Sequence, residues 1–428
     1  MYVPLDRLYH FIENIACEIY GDAVIIYRFW PSGSKNIEDL TWLPTYSHSW
    51  ADLQINPAVW CHDQEPLAFE FYRKNPPIRK NKFVDLLKSL NLFLAPPNNL
   101  NYNKNVFQKN ILLHSEKRSQ NVEKYSTVDL LPVYYWSHAI IARDWFRYST
   151  HENFKKKSNR CFLIYNRAWN GTREYRLKFT DLLVKHNLVD DCLTWFTPID
   201  NNHHYKDHVF TNQDWSPDHV LENYFSPTDA KSCASADFNT QDYQSTEIEV
   251  VLETLFDDDR LHLTEKSLRP IACRQPFLLV STHGSLQYLR DYGFITFDTV
   301  WDESYDLIQD PVKRMQAIVD VMRNIASWSA TEWSSNKNRL QQIVDHNQTH
   351  FFSDAFSDKI IMELRTNMMN AFAQLQPKPR WIARWQRRLQ HEEILSFMDH
   401  EKNPLLPNRL GYDRVCKFIS DHPNHVAK

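Results

Sequence analysis

Short apolar runs alternate with amphipathic stretches along most of the chain, a rhythm that predicts a parallel α/β protein. Residues 23–30, 58–63, 110–115 and 132–138 read as four buried strands in the first third. Pro31-Ser32-Gly33-Ser34 breaks the first of them, residues 83–90 read as a helix, and an amphipathic helix over 139–148 follows the fourth. The polar connection at 150–159 marks a domain boundary. A second series then begins. Residues 160–166 form a strand, 173–186 a helix, and 192–197, 248–252 and 277–281 further strands. Residues 200–244, rich in His, Asn, Asp and Ser, read as a functional or mobile loop region. From Pro311 onward the pattern is helical. This divides the chain into an N-terminal α/β domain (1–150), a second α/β domain (160–350) and a helical C-terminal segment (351–428).

Composition narrows the classes. Hydrophobic residues at 43% and aromatics at 14% fit a folded protein. A net charge of −4 offers no global basic field, so any nucleic-acid surface must be local. The seven cysteines contain no Cys-x-x-Cys pair, which speaks against a zinc ribbon or a disulfide framework and for a reducing, cytoplasmic setting (host cytoplasm if the gene is viral). No signal-peptide pattern opens the chain and no apolar run reaches membrane-spanning length, so no membrane partner is expected. Only six glycines occur, too few and too scattered for a Walker or dinucleotide loop. A nucleotide must therefore be held by side chains and helix ends.

One stretch offers such a hold. In Leu261-His262-Leu263-Thr264-Glu265-Lys266-Ser267-Leu268-Arg269-Pro270, Thr264 is placed to cap a short helix and Glu265 suits its first turn. Lys266 and Arg269, three apart, can share one face and reach one anion. A helix N-terminus backed by two cations suits a diphosphate. Thr264-Glu265-Lys266, with Leu268 and the following strand that opens at Pro276-Phe277, resembles the donor-binding motif of the α1,3-fucosyltransferase family over residues 160–300. The resemblance implies that Glu265 holds the donor ribose and Lys266 the diphosphate. It also matches Glu253 to the Glu of the family's preceding strand, and either Arg167 or Arg173 to an Arg that reaches the donor phosphates. Residues 292–297 and 301–306 resemble uncharacterised glycosyltransferase-like proteins, many from bacteriophages. The implied fold is GT-B-like, two Rossmann-like domains facing a cleft, with terminal helices that cross back to the first domain. The implied donor is a nucleotide-diphosphate sugar, used with inversion and without a metal. The N-terminal third does not share the resemblance, so the acceptor is not inherited from it.

The acceptor's proton needs a base on the first domain. His62-Asp63-Gln64-Glu65 ends a strand and offers Asp63 or Glu65; Glu116 and His138 hold equivalent strand ends. Asp257-Asp258-Asp259 reads as a solvated loop rather than a metal site, and His203, His204 and His208 lack ligand spacing. Residues 378–388 place five cations and two Trp together, and with Phe154-Lys155-Lys156-Lys157 they make the best local basic surface. The acceptor is then a hydroxymethylated base in phage DNA or a glycan. The rival reading is a nucleic-acid-binding or host-interaction protein on an inactive transferase fold.

Overall fold

The computed structural model describes residues 110–374, apart from 120, 121, 129 and 228–237, together with short strands and scattered residues between 12 and 69. Helices and parallel strands share the chain, as the alternating pattern requires. It divides into two compact units. Among the described residues the first runs up to Ile140 and resumes at Asp358; the second takes Ile141–Ser357.

The first unit holds β1 (Ile25–Phe29), β2 (Leu40–Trp42), β3 (Ala58–His62), β4 (Asn110–His114) and β5 (Leu130–Tyr134). They form one sheet in the order β2-β1-β3-β4-β5, parallel except for the β1–β2 pair. β4 is buried at every position, the continuous apolar run of a strand covered on both faces. β5 starts two residues ahead of the expected strand, because Leu130 and Leu131 enter the core and Ser137 already opens helix α1 (Ser137–Phe146). The boundary between units falls within α1, ahead of the charged connection at 150–159.

In register, His62 of β3 lies beside His114 of β4, and both rings are buried. The Glu116 backbone N–H donates to His114 Nδ1 at 3.3 Å, and His62 Nε2 lies 3.0 Å from the Pro66 carbonyl. Burial, helped by the neighbouring His62, lowers the His114 pKa to about 3. The folded value lies below the ordinary 6.5, so the fold holds a neutral ring that the unfolded chain protonates first. Stability from this residue is complete above pH 6.5 and is lost as pH falls toward 3, on the order of 4 kcal/mol across that window. Urea unfolding of the first unit at pH 7, 5.5 and 4.5 should show that slope, and His114→Asn should flatten it by one proton's share.

The second unit opens with β6 (Arg160–Asn166), followed by α2 (Tyr175–Lys185) and β7 (Cys192–Phe196). A two-stranded ribbon, β8 (Ile199–Asp200) with β9 (His203–His204), and three 3-10 turns occupy most of the stretch to Phe225. The short helix α3 (Thr240–Ser245) leads into β10 (Thr246–Leu252). Helix α4 (Glu265–Ala272), β11 (Phe277–Val280) and α5 (Ser285–Asp291) complete the α/β part. Helices α6 (Pro311–Ala326), α7 (Ala330–Phe352) and α8 (Asp354–Ala373) follow. Within the first unit, Asn367 of α8 donates to the Tyr134 carbonyl at 2.8 Å and Arg365 pairs with Glu18 at 3.0 Å. Among the described residues no helix is long and apolar enough to cross a membrane.

All four main strands of this unit are parallel, in the order β11-β10-β6-β7. The chain runs from β6 to β7 on one side, then returns to place β10 and β11 on the other. Connectivity therefore reverses between β6 and β10. In open parallel sheets that reversal separates the loops at the carboxyl edge and leaves a crevice for a ligand.

Candidate functional site

Three segments meet the carboxyl edge at this switch point. Residues from Arg167 follow β6, Glu253 and Thr254 follow β10, and α4 begins nearby with Thr264 as its N-cap. What joins them is the Glu253 carboxylate, 0% exposed. It accepts from the Thr264 backbone N–H at 3.0 Å and the Thr264 hydroxyl at 2.8 Å. It also takes the Ser267 N–H at 3.3 Å and the Ser267 hydroxyl at 2.5 Å. Thr264 Oγ1 in turn accepts from the Lys266 N–H at 3.4 Å.

An anion is thus already lodged at the start of α4, and it belongs to the protein. That corrects the expectation of an open helix end facing a diphosphate: the N–H groups of Thr264, Lys266 and Ser267 are committed internally. Glu253, expected to touch the donor, instead anchors the helix from within the sheet. Its effect is to fix Lys266. The Lys266 ammonium lies 3.3 Å from Thr254 Oγ1, 3.1 Å from Thr264 Oγ1 and 3.2 Å from Glu265 Oε1, with the side chain 14% exposed. Three oxygens orient the charge, on a side chain that is not fully buried. Glu265 is buried beside it, its carboxylate paired to the ammonium.

Arg269 is placed otherwise than the spacing suggested. The residue is 3% exposed, and its guanidinium pairs with Glu249 Oε1 at 2.5 Å inside the unit and lies 4.7 Å from the Tyr165 ring centre. Lys266 and Arg269 share a helix but not a ligand, because Glu249 sits four residues earlier on β10 than Glu253 and draws Arg269 toward the sheet's middle. Arg269→Met should strand the Glu249 carboxylate in the core and cost about 3–5 kcal/mol. Combining it with Glu249→Gln should recover most of that loss in urea unfolding.

Arg167, half-buried, lies over the rings of Tyr165 (5.1 Å) and Trp195 (5.4 Å) at the edge itself. Arg173 ends the 3-10 turn Gly171–Arg173, which Gly171 enters with φ 67°. A residue the sequence reading missed lies between the switch-point loops. Arg176 of α2, buried, donates to the carbonyls of Ala168 (2.6 Å), Leu252 (2.7 Å) and Glu253 (2.9 Å). The Tyr175 hydroxyl adds a bond to the Glu253 carbonyl at 2.5 Å, and burial raises its pKa to about 12. Parallel strands end in carbonyl oxygens, so a guanidinium capping three of them makes the edge less hostile to an anion. The only signal in the sequence was a cation on a helix whose other positions are largely apolar.

Several expected features change character. Asp257 accepts from Asn212 Nδ2 at 2.9 Å and Trp215 Nε1 at 3.1 Å, and Asp258 pairs with Arg260 at 2.7 Å. Asp257 and Asp259 are exposed, as expected of a solvated loop, and the run is also a hydrogen-bonded junction. Lys156 donates to the carbonyls of Tyr243 (2.7 Å) and Thr246 (2.6 Å) and to Gln275, and burial lowers its pKa to about 8. It is therefore no part of a basic surface. Among the described residues no group of three or more His, Cys, Asp or Glu is arranged to hold a metal ion.

In the first unit, Glu116 is buried just past the carboxyl end of β4, where its Oε1 accepts the Leu67 N–H at 2.5 Å, and His138, expected at a strand end, is buried in the first turn of α1 because β5 stops at Tyr134. Asp63, Glu65 and the segment 378–388 lie outside the described residues. The structure thus gathers Arg167, Glu253, Thr264, Glu265 and Lys266 at one sheet edge and assigns Arg269 to the core. Compared with protein-family models, with curated proteins and with solved structures, the chain matches none.

Proposed function

We propose that the second unit binds the diphosphate of a nucleotide-sugar donor, and that the protein is a metal-independent, inverting glycosyltransferase of GT-B type. The observation that carries this reading is an oriented ammonium on the partly exposed Lys266 side chain, at the switch point of a parallel sheet. As the bond from the anomeric carbon to the diphosphate breaks, negative charge grows on the leaving oxygen. Lys266 is placed to stabilise it, with Arg167 as the second cation. Glu265 is the candidate for the ribose hydroxyls, where a carboxylate accepts two hydrogen bonds.

Asp63 and Glu65 are the candidates for the base that takes the proton of the acceptor hydroxyl. The acceptor is a hydroxymethylated DNA base or a glycan. To test this, the protein is incubated with a panel of nucleotide sugars and either hydroxymethylated or unmodified DNA, which is then digested to nucleosides for mass spectrometry. A sugar adduct on the hydroxymethylated base alone supports the DNA acceptor. Release of nucleoside diphosphate only with glycan acceptors moves the reading to those. Salt-dependent DNA binding without any transfer favours the rival, an inactive transferase fold that binds nucleic acid.

A further inference from the structure

The stretch between Ile199 and Phe225 is neither loose nor merely a connection. Its bonds fall on both loops that flank the switch point. On the β6 side, Asp200 Oδ2 accepts the backbone N–H groups of Trp169 (2.9 Å) and Asn170 (2.8 Å), two and three residues past Arg167. Trp169 Nε1 reaches back to the Thr197 carbonyl at 3.0 Å, and the His208 ring packs edge-on to Trp169. On the β10 side, Asn212 and Trp215 both bind Asp257, four residues past Glu253.

Between these two attachments the segment is clasped to α2 by two carboxylates. Glu174 accepts the N–H groups of Thr211 (2.9 Å) and Asn212 (3.3 Å) and faces His208 Nε2 at 2.8 Å. Asp181, with its side chain 0% exposed, accepts the N–H groups of Asp218 (3.0 Å) and His219 (2.8 Å) and faces His219 Nδ1 at 2.7 Å. The other charges against these imidazoles are Lys178 of α2, which pairs with Asp181 and Asp218, and Asp218 itself. Within the segment, His204 faces Glu222 at 2.8 Å with Lys206 alongside.

We propose that residues 199–225 form a protonation-dependent brace that holds both loops of the β6–β10 switch point, with His208 and His219 as its positioning residues. The brace rests on the functional reading only for what it positions, namely Arg167 on one loop and Glu253 with Lys266 on the other.

The sign follows from the pairs. An imidazole changes charge between pH 5 and 8. For Glu174 and Asp181, burial favours the neutral acid, but the backbone N–H donors and the facing imidazoles outweigh it and keep both carboxyls below their ordinary range. A protonated ring makes each pair an anion joined to a cation, and a neutral ring leaves only hydrogen bonds. Once the pH falls below the ordinary carboxylate range the carboxylates protonate and the clasp weakens from the other side.

Hydrogen exchange of the full chain, followed by mass spectrometry at pH 6 and pH 8.5, reads this directly, alongside titration with nucleoside diphosphates at both pH values. After correction for intrinsic exchange, the peptides covering 166–174 and 254–260 should exchange on the order of tenfold faster at pH 8.5. His208→Gln and His219→Gln keep a hydrogen-bonding group without the charge. They should show the faster exchange already at pH 6, and nucleoside diphosphate affinity should fall about fivefold or more in parallel. Flanking loops whose exchange ignores both pH and variant overturn the brace, as does a change confined to 199–225. If the loops respond but no nucleoside diphosphate binds, the brace stands and the functional reading fails. If a nucleoside diphosphate binds with an affinity indifferent to pH and to both variants, the positioning role fails and the functional reading survives.

Discussion

Lys266→Ala should lower the affinity for the matching nucleoside diphosphate by about 10- to 100-fold and kcat/KM by about 100- to 1000-fold. Loss of one charge-assisted contact to phosphate accounts for the first figure, at about 1.5–3 kcal/mol. The larger kinetic effect arises because the leaving diphosphate carries more charge in the transition state than in the bound donor. Stability should fall moderately: Lys266 is partly exposed and Thr264 keeps Glu253 as a partner, but the buried Glu265 carboxylate loses its ammonium. Titration calorimetry and steady-state kinetics on the folded variant separate this from a folding defect. Lys266→Arg keeps the charge but not the compact geometry, and should fall between the two. An unchanged affinity in Lys266→Ala would remove Lys266 from the site.

Glu253→Ala should destabilise the second unit strongly, by about 3–5 kcal/mol. The carboxylate sits fully buried and receives four bonds from Thr264 and Ser267, and a fifth from the Thr254 N–H at 3.1 Å. Alanine leaves those donors without acceptors at the start of α4 and removes the internal anion that suits the helix dipole. Glu253→Gln keeps the shape, but its amide nitrogen faces donors, so it should recover only part of the loss. Urea unfolding of both variants measures the difference. In the surviving folded fraction Lys266 should no longer be oriented, so weakened diphosphate binding should accompany the lowered stability. Glu253→Ala with stability unaltered would mean that the carboxylate does not hold the helix.

The architecture was largely legible because its signal is periodic. Residues 160–166 and 192–197 announce themselves as strands by their mostly apolar runs, and the observed strands match within a residue. Thr264 was equally readable as a cap, since capping depends on residue type and on the few positions that follow. What could not be read was the destination of each long side chain. Spacing put Lys266 and Arg269 on one helix face, but the sheet beneath decides where their charges go. Glu249 is a strand residue twenty positions away, and only the register of β10 against α4 brings it to Arg269. The same limit hid Arg176, whose partners are three backbone carbonyls invisible in any pattern of side chains. The polar stretch after 199 read as a functional or mobile loop region, but its bonds to carboxylates on α2 and to Asp257 were not legible, for a related reason. Local chemistry predicts elements; pairings between distant polar groups are set by the fold.

The most direct measurement is calorimetric titration of the full chain with nucleoside diphosphates, in parallel with the corresponding nucleosides and with inorganic pyrophosphate. A diphosphate-dependent site at Lys266 predicts that one nucleoside diphosphate binds at micromolar concentration, that its nucleoside binds far more weakly, and that Lys266→Ala removes the difference. Equal binding of nucleoside and diphosphate, or no binding of any diphosphate by the folded protein, contradicts it.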